Sequence, residues 1–210
     1  MQRKQRNLFI LGAISSAVGL FAILGIIQTK AFMKTAAVSH DIKNVQADTV
    51  PTIGGDFQLF DKHGKGWKDA DFRGKPMLVY FGYSYCPEVC PRALSNLTQA
   101  MDALGGGEKI QPVFITLDPE RDTYENLDSF GQNFHKDLLL LSGSLDQIDQ
   151  AKKAYRVYAA HTSEDKDAEI DHSSLIYLMD KNGHYRAHFN HETPADEIVK
   201  RVKLHMETGE

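Results

Sequence analysis

Cys86 and Cys90 stand four positions apart in YSYCPEVCPRA, residues 83–93, and each is followed by a proline. Two cysteines so placed can serve three chemistries: a redox dithiol, a structural disulfide, or a pair of soft thiolate donors that await a further metal ligand. The staple is the weakest of the three. A chain of 210 residues is long enough to bury a sizeable core, and a bridge across so short a loop removes little chain entropy. Small disulfide-dependent domains also use many cysteines, and this chain has 2.

Spacing separates the other two only in part. Dedicated dithiol oxidoreductases carry CxxC, whereas CPEVC places three residues between its cysteines. A peroxidase of the peroxiredoxin type carries Thr or Ser shortly before its reactive cysteine and Pro further upstream; Tyr83 and Val79 occupy those positions here. Two thiolates favour Cu(I) or zinc, but structural zinc takes a closed tetrahedral set of protein ligands and no further cysteine exists. A low-coordinate copper site needs one more donor, for which 9 histidines compete. His63 falls in a hairpin loop, and His184, His188 and His191 lie along or after a strand. His172, in EIDHSSLIYLMD, differs in standing at a strand entry beside Asp171, a carboxylate able to orient an imidazole ligand.

The elements that would position these residues follow from periodicity. FQLFDKHGKGW reads as a strand and hairpin, and the apolar run Met77–Phe81 as a buried central strand that ends just before the cysteines. Apolar residues recur at helical spacing from Ala93 to Leu104, and the glycines at 105–107 stop the run. The cysteines thus lie at a strand-to-helix junction, where Pro87 suits the first helical position and helix amides stabilise a thiolate on Cys86. In a helical segment, residues four apart have Cα atoms about 6 Å apart, so a disulfide and a shared metal are both within reach. IQPVFITL forms a second strand, DPERDT leads into a helix to about Phe134, and LLLLSG forms a third strand. Ser144 and Gln147 have capping-box spacing ahead of another helix. SLIYLM and HYRAHF flank a DKNG turn, and a last helix opens at Thr193–Asp196 and runs to about Met206. This order predicts an α/β domain with helices on both faces of the sheet and fits the thioredoxin fold, with chemistry at the carboxyl ends of strands.

Residues 8–27, LFILGAISSAVGLFAILGII, contain no charge and as a helix span about 30 Å, one bilayer crossing. Arg3, Lys4 and Arg6 precede them and no acidic residue occurs before Asp41, so the positive-inside rule places residues 1–7 in the cytoplasm. The apolar run exceeds that of a cleavable signal peptide, and small-residue cleavage positions stand far from it. Residues 28–49 read as a tether and 50–210 as the exported domain. With Arg3, Lys4 and Arg6 set aside, 21 Lys and Arg face 28 Asp and Glu, a net charge of about −7 that argues against a nucleic-acid partner.

Three blocks, DFRGKPMLVYFGYSYCPEVCP, TLDPERDT and DHSSLIYLMDKNG, are similar in order and content to those of the Sco/SenC family of membrane-tethered copper chaperones for cytochrome c oxidase assembly. The similarity runs from about residue 54 to 205. The resemblance implies a thioredoxin-like domain that binds one copper ion, Cu(I) or Cu(II), through Cys86, Cys90 and His172. Asp118 matches an acidic position near the family's metal site and is a candidate modulator of Cu(II) binding. Two departures are an acidic approach to the histidine, HTSEDKDAEIDHSS, and Glu88 in place of a common Asp. The implied partners are the copper-bearing subunit of cytochrome c oxidase and a thiol reductant or another copper carrier. The implied address is a bacterial inner membrane with the domain in the periplasm, or the mitochondrial inner membrane facing the intermembrane space. The same residues admit two alternatives: a thiol-disulfide oxidoreductase that keeps the oxidase subunit's cysteines reduced, and a redox or copper sensor. The enzymatic activity these residues leave open is thiol-disulfide oxidoreduction.

Overall fold

The first element is a hairpin of β1 (Gln58–Phe60) and β2 (Gly66–Lys68), paired antiparallel as FQLFDKHGKGW predicts. Asp61 closes its loop by accepting hydrogen bonds from the amides of His63 and Lys65 and from the Trp67 indole. The computed structural model describes residues 52–165 and 167–208. The cytoplasmic N-terminus, anchor and tether read from residues 1–49 lie outside the described residues. Among the described residues no helix is long and apolar enough to cross a membrane.

Strand β3 (Met77–Gly82) follows, buried along its whole length, and leads through the cysteine loop into α1 (Val89–Leu104). Next come β4 (Gln111–Thr116), α2 (Tyr124–Gly131), β5 (Leu139–Leu141) and α3 (Leu145–Tyr155). Two short strands, β6 (Ala159–His161) and β7 (Ile170–His172), pair with each other apart from the main sheet. The chain ends with β8 (Leu175–Met179), β9 (Tyr185–Asn190) and α4 (Ala195–Thr208).

The five-stranded sheet has the order β5-β4-β3-β8-β9, with β3, β4 and β5 parallel and β8 and β9 antiparallel. Adjacent residues of a strand point to opposite faces. Phe81 accordingly meets Tyr155 of α3 and Tyr177 of β8, while Tyr80 turns the other way toward Phe114, which in turn packs on Phe130 of α2. Helices cover both faces, as expected of the thioredoxin-like arrangement. The central position of β3 fixes where Cys86 emerges, at the carboxyl end of a strand that cannot shift without disturbing both halves of the core.

Several boundaries differ from the sequence reading. Helix α1 begins at Val89, ahead of the periodic run, so Cys90 and Pro91 lie in its first turn, where proline's missing N–H has no intrahelical partner to lose. Pro87 lies in the bend before the helix rather than at its first position. Helix α2 stops at Gly131, where a Cβ would collide with the side chain of Leu140. The capping box on Ser144 and Gln147 is present, with hydrogen bonds of 3.3 and 2.9 Å.

Candidate functional site

Cys86 leaves the end of β3 in a tight turn, its amide donating to the carbonyl of Tyr83 at 3.3 Å. Cys90 is fully buried, and Cys86 is 8% exposed. Gly82 makes the close packing behind Cys90 feasible: a Cβ there would stand 2.8 Å from the Cys90 sulfur and 3.0 Å from the Tyr80 ring. Both cysteines are free thiols.

The two sulfurs are chemically unlike. Interaction with the Cys90 side chain, aided by the N–H groups of Cys90 and Glu88, outweighs burial and holds the Cys86 thiol down at about 3. The Cys90 amide lies 3.4 Å from that sulfur and belongs to the first turn of α1, which is the thiolate-stabilising helix terminus read from the sequence. Cys90 is pushed far above the usual thiol range, first by its interaction with Cys86 and then by burial, so the two sulfurs titrate as a pair that shares a proton. Tyr80 donates its hydroxyl to the Cys90 sulfur at 3.6 Å, and burial keeps that phenol protonated.

The histidine arrives from the β6–β7 hairpin. His172 is the last residue of β7, three positions before β8, so it ends one strand instead of entering the next. Its Nε2 lies 3.8 Å from the Cys90 sulfur, and its Nδ1 is 3.3 Å from the carbonyl of Ser173. A carbonyl can only accept, so Nδ1 carries the hydrogen and Nε2 is the nitrogen left to bind a metal. The rings of Tyr80 and Tyr83 meet the imidazole edge-on, with centroids 6.3 and 6.0 Å away. The Tyr83 hydroxyl also accepts from the Ile170 amide at 3.3 Å and ties β7 to the cysteine loop. Cys86 and His172 line an open cleft of about 530 Å³ together with Glu88, Glu169 and Asp171. Among the described residues no three His, Cys, Asp or Glu side chains are already gathered as a cage for a metal ion. The donors meet in pairs, and the proton between the sulfurs must leave before both can bind one.

Asp118 stands apart from this cleft. It is 4% exposed, accepts from the side chain and amide of Arg121, and lines a neighbouring cavity with Glu120, His161 and Glu164. His63, His184, His188 and His191 do not line the cysteine cleft. Tyr80, Arg121 and Asp122 were not singled out from sequence, although all three fall within the quoted blocks. Asp122 is 1% exposed and accepts from the amide and hydroxyl of Ser84 and from the Thr116 hydroxyl, so it pins the cysteine loop to the end of β4.

The SCO1/SenC family model matches residues 45–207, a span that contains all of these elements. The chain belongs to the SCO1/SenC family. Among its SCO1/SenC relatives, the mitochondrial SCO2 homolog of Homo sapiens is 43% identical over 170 residues, which cover 78% of this chain and 64% of the human protein. The chain therefore spans somewhat under two thirds of that relative's length. An SCO2-like protein of Rickettsia prowazekii is 39% identical over 164 residues, 76% of this chain and 80% of the relative. The solved structure of Bradyrhizobium japonicum ScoI with copper bound superposes with a TM-score of 0.67 at 39% identity, covering 72% of this chain and 98% of ScoI. The SCO1/SenC fold of the described domain is thus shared along nearly the full length of a copper-bound relative.

Proposed function

We propose that this SCO1/SenC chain is a membrane-tethered copper chaperone that delivers copper to the binuclear copper centre of cytochrome c oxidase. The placement of Cys86 and His172 on one cleft, with the Cys90 sulfur buried 3.8 Å from the His172 Nε2, carries this reading. The copper bound to ScoI of Bradyrhizobium japonicum supports it. Cys86, Cys90 and His172 hold the ion, which is cargo rather than a resident cofactor. Cys86 supplies a ready thiolate, and Cys90 supplies a second after losing its proton. Soft sulfur donors suit Cu(I), and the imidazole extends the set to Cu(II). The ion then passes to thiolates of the oxidase subunit by ligand exchange, and a thiol reductant or another copper carrier resets or reloads the pair. Asp118 acts on the site from a distance, through Arg121, rather than as a ligand.

Residues 8–27 anchor the chain, 28–49 tether it and 50–210 form the copper-binding domain, on the periplasmic face of a bacterial inner membrane or the intermembrane-space face of a mitochondrial one. Titration of the reduced full chain in detergent with Cu(I), against a competing chelator, tests the proposal. One copper per chain is expected, with affinity lost in Cys86→Ser and Cys90→Ser and weakened in His172→Ala. Variants that bind as tightly as the parent overturn the three-donor site.

A second reading, thiol-disulfide exchange on the same oxidase subunit, is favoured by the asymmetry of the pair, since a low-lying thiolate beside a protonated partner is the arrangement of an attacking and a resolving thiol. His172→Ala separates the two. Full complementation in cells by that variant, with both cysteine variants inactive, selects electron exchange over copper delivery.

A further inference from the structure

Arg121 touches both chain segments that carry the site. Its Nε donates to Asp118, and another guanidinium nitrogen donates to the carbonyl of Ala168 at 2.9 Å. Its guanidinium carbon lies 5.8 Å from the Tyr83 ring centre and 5.5 Å from that of Tyr85. Ala168 stands two residues before the strand that ends in His172, while Tyr83 and Tyr85 stand three and one before Cys86. The β6–β7 hairpin has no strand partner in the main sheet, so side-chain ties must hold it in place. Its connecting loop carries Glu164, Asp165, Asp167 and Glu169 against one lysine in sequence, and Glu164 and Asp165 line a cavity together with Arg121. Asp118 roots the guanidinium in turn: its amide donates to the Thr116 hydroxyl at 2.9 Å at the end of β4, and its buried carboxylate needs a cation. A planar fork can serve a carboxylate, a carbonyl and two ring faces at once, which a single ammonium cannot.

We propose that Arg121 is a positioning residue for metal binding, a latch that holds the His172 hairpin against the cysteine loop. The inference rests on Cys86, Cys90 and His172 being the metal donors, and it gives Asp118 the role of anchoring the latch.

The test uses the full chain in detergent, as parent, Arg121→Gln and Arg121→Lys. In the reduced, metal-free proteins, amide hydrogen exchange is followed over residues 168–172; in the loaded proteins, Cu(I) affinity and the sulfur-to-Cu(II) charge-transfer absorption are measured. Arg121→Gln is expected to speed exchange of the hairpin amides, alter the absorption band and weaken copper binding by about 10–100-fold, the usual range for loss of a residue that orients a metal ligand. Arg121→Lys, which keeps the cation for Asp118, is expected to retain thermal stability while showing the same loosened hairpin, and it serves as the decisive variant if the Gln form does not fold. Exchange at the parent rate in the folded variant overturns the latch. Faster exchange with unchanged copper affinity and spectrum overturns its part in metal binding. Full rescue by Lys overturns the fork. A parent that binds no copper overturns the copper reading instead, and the exchange rates alone then decide the latch.

Discussion

The backbone N–H of Cys90 donates to the sulfur of Cys86 at 3.4 Å, so the helix that carries one cysteine stabilises the anion of the other. Together with the Cys90 side chain, this holds the Cys86 thiol far below the usual range, down at about 3. The thiolate is therefore present throughout the range above that value and is lost only as pH falls through it. Alkylation of reduced, metal-free protein by iodoacetamide should modify Cys86 at a rate nearly constant from about pH 5 to pH 8, whereas an unperturbed thiol near 8.5 would react roughly tenfold faster per pH unit over that range. Peptide mass spectrometry should find Cys90 protected until the protein unfolds.

Because the pair holds a single proton at neutral pH, loading with Cu(I) should release about one proton from the two sulfurs rather than two. A pH-indicator titration of the parent in weak buffer measures this directly.

Tyr80→Phe removes the hydroxyl that donates to Cys90 in the reduced form. A buried neutral hydrogen bond is worth about 1 kcal/mol, which for a two-electron couple corresponds to a disulfide potential about 20 mV more negative. Equilibration with a glutathione redox series, read by thiol trapping, checks both sign and size.

Gly82→Ala places a carbon 2.8 Å from the Cys90 sulfur with the Tyr80 and Phe114 rings close on either side. The expected cost is about 1–3 kcal/mol by overpacking, with loss of copper binding. Replacing Cys90 by Ala in the same chain should relieve the strain, so thermal melts of the single and double variants should show strongly non-additive stabilities.

Asp122 is held above the usual carboxylate range, chiefly by burial, although Ser84 and Thr116 donate to it. Between the unfolded value near 3.8 and the raised folded value, the native state binds the extra proton, so stability falls as pH rises through that window. Asp122→Asn should lack this dependence in urea melts at stepped pH. Asp122→Ala, which strands the Ser84 amide and hydroxyl, should cost about 1–3 kcal/mol or more at every pH.

The parts of the molecule that repeat a pattern were readable in the chain. Met77–Phe81 is a continuous apolar run because both faces of β3 are covered, and Ala93, Leu94, Leu97, Ala100, Met101 and Leu104 mark the buried stripe of α1. The β6 and β7 strands were not readable, since three residues are too few for a period to show. The helix start at Val89 was hidden because Cys90 and Pro91, not aliphatic residues, make its first turn. Cys86 and Cys90 declared themselves by composition. His172 needed the family's blocks, because its partners Tyr80, Tyr83 and Cys90 lie about 80 or more positions away and meet it only across the fold. Arg121 belongs to the same class: nothing in DPERDT indicates that it reaches Ala168, 47 positions on.

Burial ranks the two sulfurs, and in the copper reading that ranking sets a direction of travel. Cys86, at 8% exposure, and His172 face the cleft, whereas Cys90 lies beneath them at 0% with Tyr80 at its back. An incoming thiolate from an acceptor meets the outer donors first and can displace them while the inner sulfur still grips the ion. On the proposed copper function, hand-over would then be a stepwise peeling, outermost bond first, with the ion held by protein sulfur throughout.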